Sequence, residues 1–267
     1  MAIVRTNNRV IGDKPVISVL PEDLAKQMKE TGVWKESSPV SLQRLSLVEV
    51  PYVDFKLTHD NGEIIVFDAY AKKVAQVFAK LFKLGFPINK IRSLHHYSAN
   101  DELSMADNNT SCFCDRPISK GLPSMHCYGM ALDINPLQNP FVVFNEKAGK
   151  ADIYPQKGWQ FLNRHNQKEG MVEPIVSLLA KHGFFIWGGH WTTPIDFHHF
   201  QPQRGIAELL VILSKTDGER LIELAIKERH RLTSLDSFPY GEKLQPLKKL
   251  YKKNKTDFFE RFCSYIR

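Results

Sequence analysis

The 267 residues contain no apolar run approaching the ~18 positions that a membrane-spanning helix needs. None of the four cysteines (Cys112, Cys114, Cys127, Cys263) forms a C-x-x-C pair, so a thiolate-built structural zinc site is not expected. Cys112 and Cys114 stand too close together to pair, and a chain of this length does not depend on disulfide staples. Reduced thiols are therefore expected. Glycine and proline number fifteen each, without the repeat or the enrichment of collagen-like or low-complexity chains. No internal repeat is visible. No zinc-finger, RNA-recognition or helix-turn-helix signature is present, so a nucleic-acid partner is not expected. The opening residues, MAIVRTNNRVIGDKPVISVL, lack an apolar region of the length a secretory signal requires. The expectation is a cytoplasmic location or release by a non-classical route.

An apolar share of 43% with 24% charged residues is that of an ordinary globular protein with a sizeable core. The net charge is +7, and it is uneven: residues 241–267 hold eight lysines and arginines against three acids. A basic surface favours anionic partners such as nucleic acid, an acidic membrane face or an anionic wall polymer. The same run also reads as an ordinary solvated helix face.

Punctuation and periodicity give a mixed reading. Residues 1–20 form a polar arm with a short strand, and Pro21 to Trp34 a helix with acids in its first turn. Residues 39–55 alternate as one or two strands. Asp60-Asn61-Gly62 signals a hairpin turn, with 63–67 the following strand. Val74, Val77, Phe78, Leu81 and Phe82 recur at helical spacing and Gly85 closes that helix. A strand is expected around Ile88 to Leu94. His95 and His96 then fall at a loop. Residues 98–125 and 137–170 read as long loops, and a loop of that length inside a domain is usually functional. Pro174 to His182 fits a helix, 184–191 and 196–200 fit strands, and the chain beyond Gly205 is helical to its basic end. The expected class is α+β: a small antiparallel sheet flanked by helices, with a helical C-terminal extension. The expected parts are an arm and helix (1–38), a central domain (39–204) and the extension (205–267).

The chemistry lies in the company that two histidines keep. His126 opens H-x-x-G-x-A-x-D, which ends at Asp133, and Asp196 precedes His199 by three. Two imidazoles and a carboxylate make a three-ligand zinc set with one position left for water. A further carboxylate beside it can act as general base and acid. The spacings carry a parity problem. His126 and Asp133 are seven apart and would face opposite ways on one straight strand. Gly129 permits the turn that reconciles them. Asp196 and His199 converge only if the chain bends near Phe197-His198. Straight alternation would instead put His198 beside Asp196, so the residues alone leave His198 or His199 as the ligand, and Asp196 as base or as the partner that orients a ligand histidine.

The pieces SMADNNTSCFCDR (104–116), SMHCYGMALDINPLQNPF (124–141) and FFIWGGHWTTPIDFHHF (184–200) resemble, in order, the zinc D-Ala-D-Ala carboxypeptidase and peptidoglycan L-Ala-D-Glu endopeptidase family, across about residues 39–201. The resemblance implies a hedgehog-type α+β fold. It also implies zinc held by His126, Asp133 and His199, Asp196 as catalytic base, Arg116 as the oxyanion partner (Arg92 the alternative) and Ser124 as a substrate-binding residue. It implies a zinc metallopeptidase that cuts beside a D-amino acid in a peptidoglycan stem peptide or muropeptide, of carboxypeptidase type. The alternatives are an L-Ala-D-Glu endopeptidase or a non-catalytic zinc-containing binding module. Cys112, Cys114 and Cys127 depart from the family pattern, and the chain beyond Gly205 lies outside the resemblance.

Overall fold

A computed structural model describes residues 12–116, 122–145, 147–235 and 237–266. The expected arm at residues 1–11 lies outside the described residues. The structure is built from short antiparallel sheets and one parallel strand pair, wrapped by helices, and its class is α+β. Among the described residues no helix is long and apolar enough to cross a membrane.

Strand β1 (Val16–Val19) leads into helix α1 (Glu22–Glu30), and then come β2 (Leu45–Val53) and β3 (His59–Phe67). These strands make an antiparallel sheet in the order β1-β2-β3. β2 is central and buried along nearly its whole length, which explains its near-continuous apolar run. Helix α2 (Ala71–Lys83) lays Val74, Val77, Phe78 and Leu81 into the core, as its spacing predicts, and Gly85 follows with φ +64°.

The β2–β3 turn falls earlier than the Asp60-Asn61-Gly62 signal, because those three residues are inside β3. The chain reverses at 54–58, where the Asp54 carboxylate accepts the amides of Lys56 and Thr58, both at 2.8 Å. This side-chain turn outcompetes the Asn-Gly signal. Gly62 is required for another reason: a Cβ there would collide with Ile91 of the neighbouring strand.

That neighbour, β4 (Lys90–Ile91), is shorter than the expected 88–94 strand and pairs in parallel with β5 (Asn109–Thr110). Between them lie a 3-10 helix (Leu94–Tyr97) and helix α3 (Asp101–Ala106), so the stretch read as loop from 98 to 125 is partly helical. Asn100 caps α3, its side-chain oxygen accepting the Leu103 amide. The stretch 137–170 likewise contains a hairpin, β7 (Phe141–Asn145) with β8 (Lys150–Tyr154). Before it stands β6 (Leu132–Asp133), and after it α4 (Val176–Ala180), β9 (Ile186–Trp187), β10 (Ile195–Asp196) and β11 (His199–Gln201). These form two three-stranded sheets, β10-β7-β8 and β6-β11-β9.

The C-terminal region supplies α5 (Arg204–Ile212), α6 (Lys215–Lys227), α7 (Gln245–Lys253) and α8 (Lys255–Ile266). Its apolar faces join the same hydrophobic core as the sheets, with Leu209, Leu210, Leu221, Phe258 and Phe262 fully buried.

Candidate metal centre

The β6-β11-β9 sheet carries two members of the centre. Asp133 and His199 are directly opposed across β6 and β11, a pairing that brings facing side chains to contact range. His199 Nδ1 lies 3.0 Å from Asp133 Oδ1. On its other side Asp133 bridges to Ser111, each exchanging amide and carbonyl at 3.0 Å.

His126 reaches the same point from a different element, the 3-10 helix Met125–Tyr128. Ser124 starts this helix, its hydroxyl oxygen accepting the His126 amide at 3.3 Å. Gly129 ends it in the left-handed region at φ +65°. The close approach of Phe67 leaves no room for a side chain there: a Cβ on Gly129 would sit 2.8 Å from the Phe67 nitrogen. The turn that the seven-residue spacing demanded is thus made by a helix capped by glycine. His126 Nε2 lies 3.1 Å from Asp133 Oδ2 and 3.3 Å from His199 Nδ1.

The second nitrogen of each ring is spoken for. His126 Nδ1–H donates to the Cys112 carbonyl at 2.5 Å, and His199 Nε2–H donates to Gln201 Oε1 at 2.7 Å. This leaves Nε2 of His126 and Nδ1 of His199 facing Asp133, to donate to it when protonated or to offer a lone pair to a cation once that proton is lost. One donor atom from each of His126, Asp133 and His199 lies within 4.8 Å of the others, and all three residues are buried. Burial alone would raise the Asp133 carboxyl, but the His126 and His198 imidazoles and the hydrogen bonds from His126 and His199 hold it well below the usual carboxylate range. Converging lone pairs of this kind are satisfied by protons or by a divalent cation that displaces them. The donor set fits zinc: imidazole and carboxylate, three protein ligands.

Asp196 and His199 sit on different strands of different sheets. β10 pairs with β7, placing Asp196 opposite Phe141, whereas β11 pairs with β6 and β9. The bend at Phe197-His198 removes the parity problem. Asp196 is buried, and its Oδ1 has no aligned hydrogen-bond donor. His198 Nε2 stands 3.0 Å from that oxygen and 3.8 Å from Asp133 Oδ2, while His198 Nδ1–H donates to the Asn139 carbonyl at 2.8 Å. Burial works against its charge, but Asp196, Asp133 and the Asn139 carbonyl push the His198 pKa up to about 9. His198 therefore lies behind Asp196, and His199 is the histidine that clusters with His126 and Asp133.

Arg116 forms an ion pair with Asp101 at the start of α3. Burial opposes its charge, yet Asp101, Asp133, Cys114 and Asp196 hold its pKa above the ordinary value. Arg92 lies instead beside β5, where its amide and carbonyl bond the Asn109 side chain. The thiols of Cys112, Cys114 and Cys127 are buried and unpaired. Burial first of all pushes them up, Cys114 to about 12 and Cys127 to about 11.

Residues 118–202 match the family model described as D-alanyl-D-alanine carboxypeptidase. This segment is therefore similar to that family of peptidases. It spans roughly a third of the chain and contains Ser124, His126, Asp133, Asp196 and His199, with Arg116 just before it. No curated protein and no solved structure matches the chain.

Sequence reasoning passed over three groups around the centre, Gln201, Asn139 and the Cys112 carbonyl. Gln201 has a legible signal, because it is two residues beyond His199 on one strand and so shares its face. Asn139 and the Cys112 carbonyl have none, since both act through contacts set by the fold. Trp191, which with Trp187 reads from the sequence as a core residue, lies at the centre. Its ring centroid is 5.4 Å from that of His199, and its indole N–H is buried without a partner. Trp187, by contrast, is a core residue, stacked on Phe200 and donating to the Phe197 carbonyl at 2.8 Å.

Proposed function

We propose that the protein is a zinc-dependent metallopeptidase that hydrolyses the amide bond beside a D-amino acid in peptidoglycan stem peptides, of D-Ala-D-Ala carboxypeptidase type. The observation that carries this reading is the buried convergence of His126 Nε2, Asp133 and His199 Nδ1 with an undonated Asp196 oxygen near at hand. His126, Asp133 and His199 would hold the ion. A zinc ion bound there acidifies a water molecule and polarises the scissile carbonyl.

The remaining steps belong to the chain. Asp196 Oδ1, free of an aligned donor, takes the proton of the attacking water and returns it to the leaving amine. His198 Nε2, 3.0 Å from that oxygen, packs behind Asp196 and helps to position it. Arg116 supplies fixed positive charge toward the developing oxyanion, in a partly buried site where such charge counts for more than in water. Ser124 acts by starting the helix that aims His126. Trp191 offers its unpartnered N–H to a polar group of the substrate.

The test is a defined muropeptide mixture digested with the purified protein and read by mass spectrometry, with and without a chelator. Loss of a terminal D-Ala that stops on chelation and returns with zinc is expected. Cleavage that persists without metal, or zinc binding with no product, would overturn the proposal. Products cut between L-Ala and D-Glu would replace the carboxypeptidase with the endopeptidase.

A further inference from the structure

A second group of ligating side chains lies in the N-terminal half. Glu63 is on β3, and His95 and His96 are on the 3-10 helix that follows β4. More than thirty residues apart in sequence, they bring one donor atom each to within 4.8 Å of the others. His96 Nε2 is 3.3 Å from Glu63 Oε1, and the two imidazole centroids are 4.0 Å apart at 36°. None of the three belongs to the peptidase segment or to the triad already described.

We propose that Glu63, His95 and His96 form a second divalent-cation site, of zinc type. The arrangement is held from behind by a single buried residue. Ser93 Oγ lies 3.0 Å from His95 Nδ1. A hydrogen-bonding partner of this kind helps to preorganise a ligand ring. Neither imidazole is turned toward a different acid. Two adjacent, mutually tilted imidazoles beside one carboxylate are over-provided for an ion pair, which needs one cation and on a surface contributes little. With an ion between them, all three groups have a role.

The charges agree with the geometry. Burial tends to raise the Glu63 carboxyl, but the His96 hydrogen bond, both imidazoles and the Ser93 amide hold it below its ordinary value. No lysine or arginine is among the groups that do so. Imidazole with carboxylate suits zinc, nickel or cupric ions, whereas calcium and magnesium prefer oxygen alone. The His96 and Glu63 side chains are 43% and 31% exposed, so an ion has an entry path and water can complete its coordination. Once bound, it would tie β3 to the turn after β4.

The site rests on its own geometry and not on the peptidase reading, so its readout is metal content. The full chain is stripped with chelator, titrated with Zn²⁺ alone and analysed for bound metal after gel filtration. Wild type should take up two equivalents. His96→Ala and Glu63→Gln should each take up one, as should His126→Ala, and the His96→Ala, His126→Ala double variant none. A wild-type stoichiometry of one that His126→Ala abolishes would overturn the proposal. So would two equivalents retained by His96→Ala. His96 is exposed and Gln is isosteric with Glu, so the folds should survive. A measurement free of substitutions uses the histidine side-chain ¹H–¹⁵N spectrum of wild type. The His95 and His96 resonances should shift with one equivalent of zinc, and shifts confined to other histidines would equally overturn it.

Discussion

Asp196 is held in place by main-chain contacts that leave little slack. Gly188 packs so closely on the Asp196 backbone that a Cβ would overlap its carbonyl oxygen. Gly188→Ala should therefore displace the base while leaving His126, Asp133 and His199 together. The expected result is a full zinc equivalent at the triad with hydrolysis reduced ~10²-fold, a loss of the size that misplacement by about an ångström produces. Asp196→Asn should behave alike but more severely, since Asn accepts no proton. Metal analysis beside a muropeptide assay reads both, and an Asp196→Asn variant with wild-type turnover would remove Asp196 from the role of base. Gln201→Leu acts on the metal instead. Without Gln201 Oε1 the His199 Nε2–H loses its acceptor and the ring its fixed orientation. Zinc affinity should fall ~10–100-fold, the usual cost of removing such a partner, with the fold intact by circular dichroism.

Elements, more than single residues, decide whether the centre assembles. The 3-10 helix bearing His126 depends on Gly129, whose φ of +65° and contact with Phe67 both exclude a side chain. Gly129→Ala should cost about 1–3 kcal/mol of stability, read by denaturant unfolding, and should weaken zinc binding in the same variant. A second junction joins α6 to the last two helices through Asp217, which accepts from the Ser214 hydroxyl at 2.8 Å, Tyr251 at 2.7 Å and Lys255 at 2.7 Å. Burial opposes ionisation there, but the hydrogen bonds from Lys255, Tyr251 and Ser214 hold the Asp217 pKa down to about 2. A depressed carboxyl stabilises the fold above its unfolded value and loses that contribution as pH falls through the folded one. Wild-type melting temperature should thus decline between about pH 4 and pH 2, and Asp217→Asn should lose that part of the decline.

The same scale shows what the sequence could reveal. Helix α2 was readable because five apolar residues at helical spacing and a closing glycine agree with one another. His126 and Asp133 stood out as candidate ligands from residue types and spacing, whereas preferring His199 to His198 rested on the family resemblance alone. The β2–β3 turn was not, since the Asp54 side chain makes a turn where no glycine marks one. Nor was the break inside DFHHF, five residues divided between two sheets, because only strand partners distant in sequence show that β10 and β11 are separate. Gly62, Gly129 and Gly188 look alike in the sequence. Each is needed for a different backbone approach that local pattern does not encode.

At the scale of the whole molecule, the helices after Gln203 are more than an attachment to the peptidase segment. Arg204 Nη2–H donates to the Pro123 carbonyl at 3.0 Å, just before the helix that carries His126. Arg44, paired with Asp68 at 2.7 Å, also donates to the Val211 carbonyl at 3.1 Å, joining the first sheet to α5. Gly218 of α6 comes close enough to Ala69 that a Cβ there would lie 3.1 Å from its methyl. Ile206, Leu209, Leu210, Leu221 and Ile222 are buried in the common core. Each such side chain contributes about 1.5–3 kcal/mol when fully buried, so five of them alone represent a stabilisation comparable to the whole stability of a typical domain. A chain ending at Gln203 would expose the complementary face of the sheet and of α2. It should express as aggregate, or as a compact state that binds a hydrophobic dye and lacks a cooperative melt, and it should take up no zinc at the triad. A soluble truncated chain with a sharp thermal transition and a full zinc equivalent would instead show that the peptidase segment stands without its helical extension. A chain lacking only α8 is the graded control: it removes Phe258, Phe259, Phe262 and Ile266 from the core, leaves Arg204 in place, and should melt earlier while still assembling the metal centre.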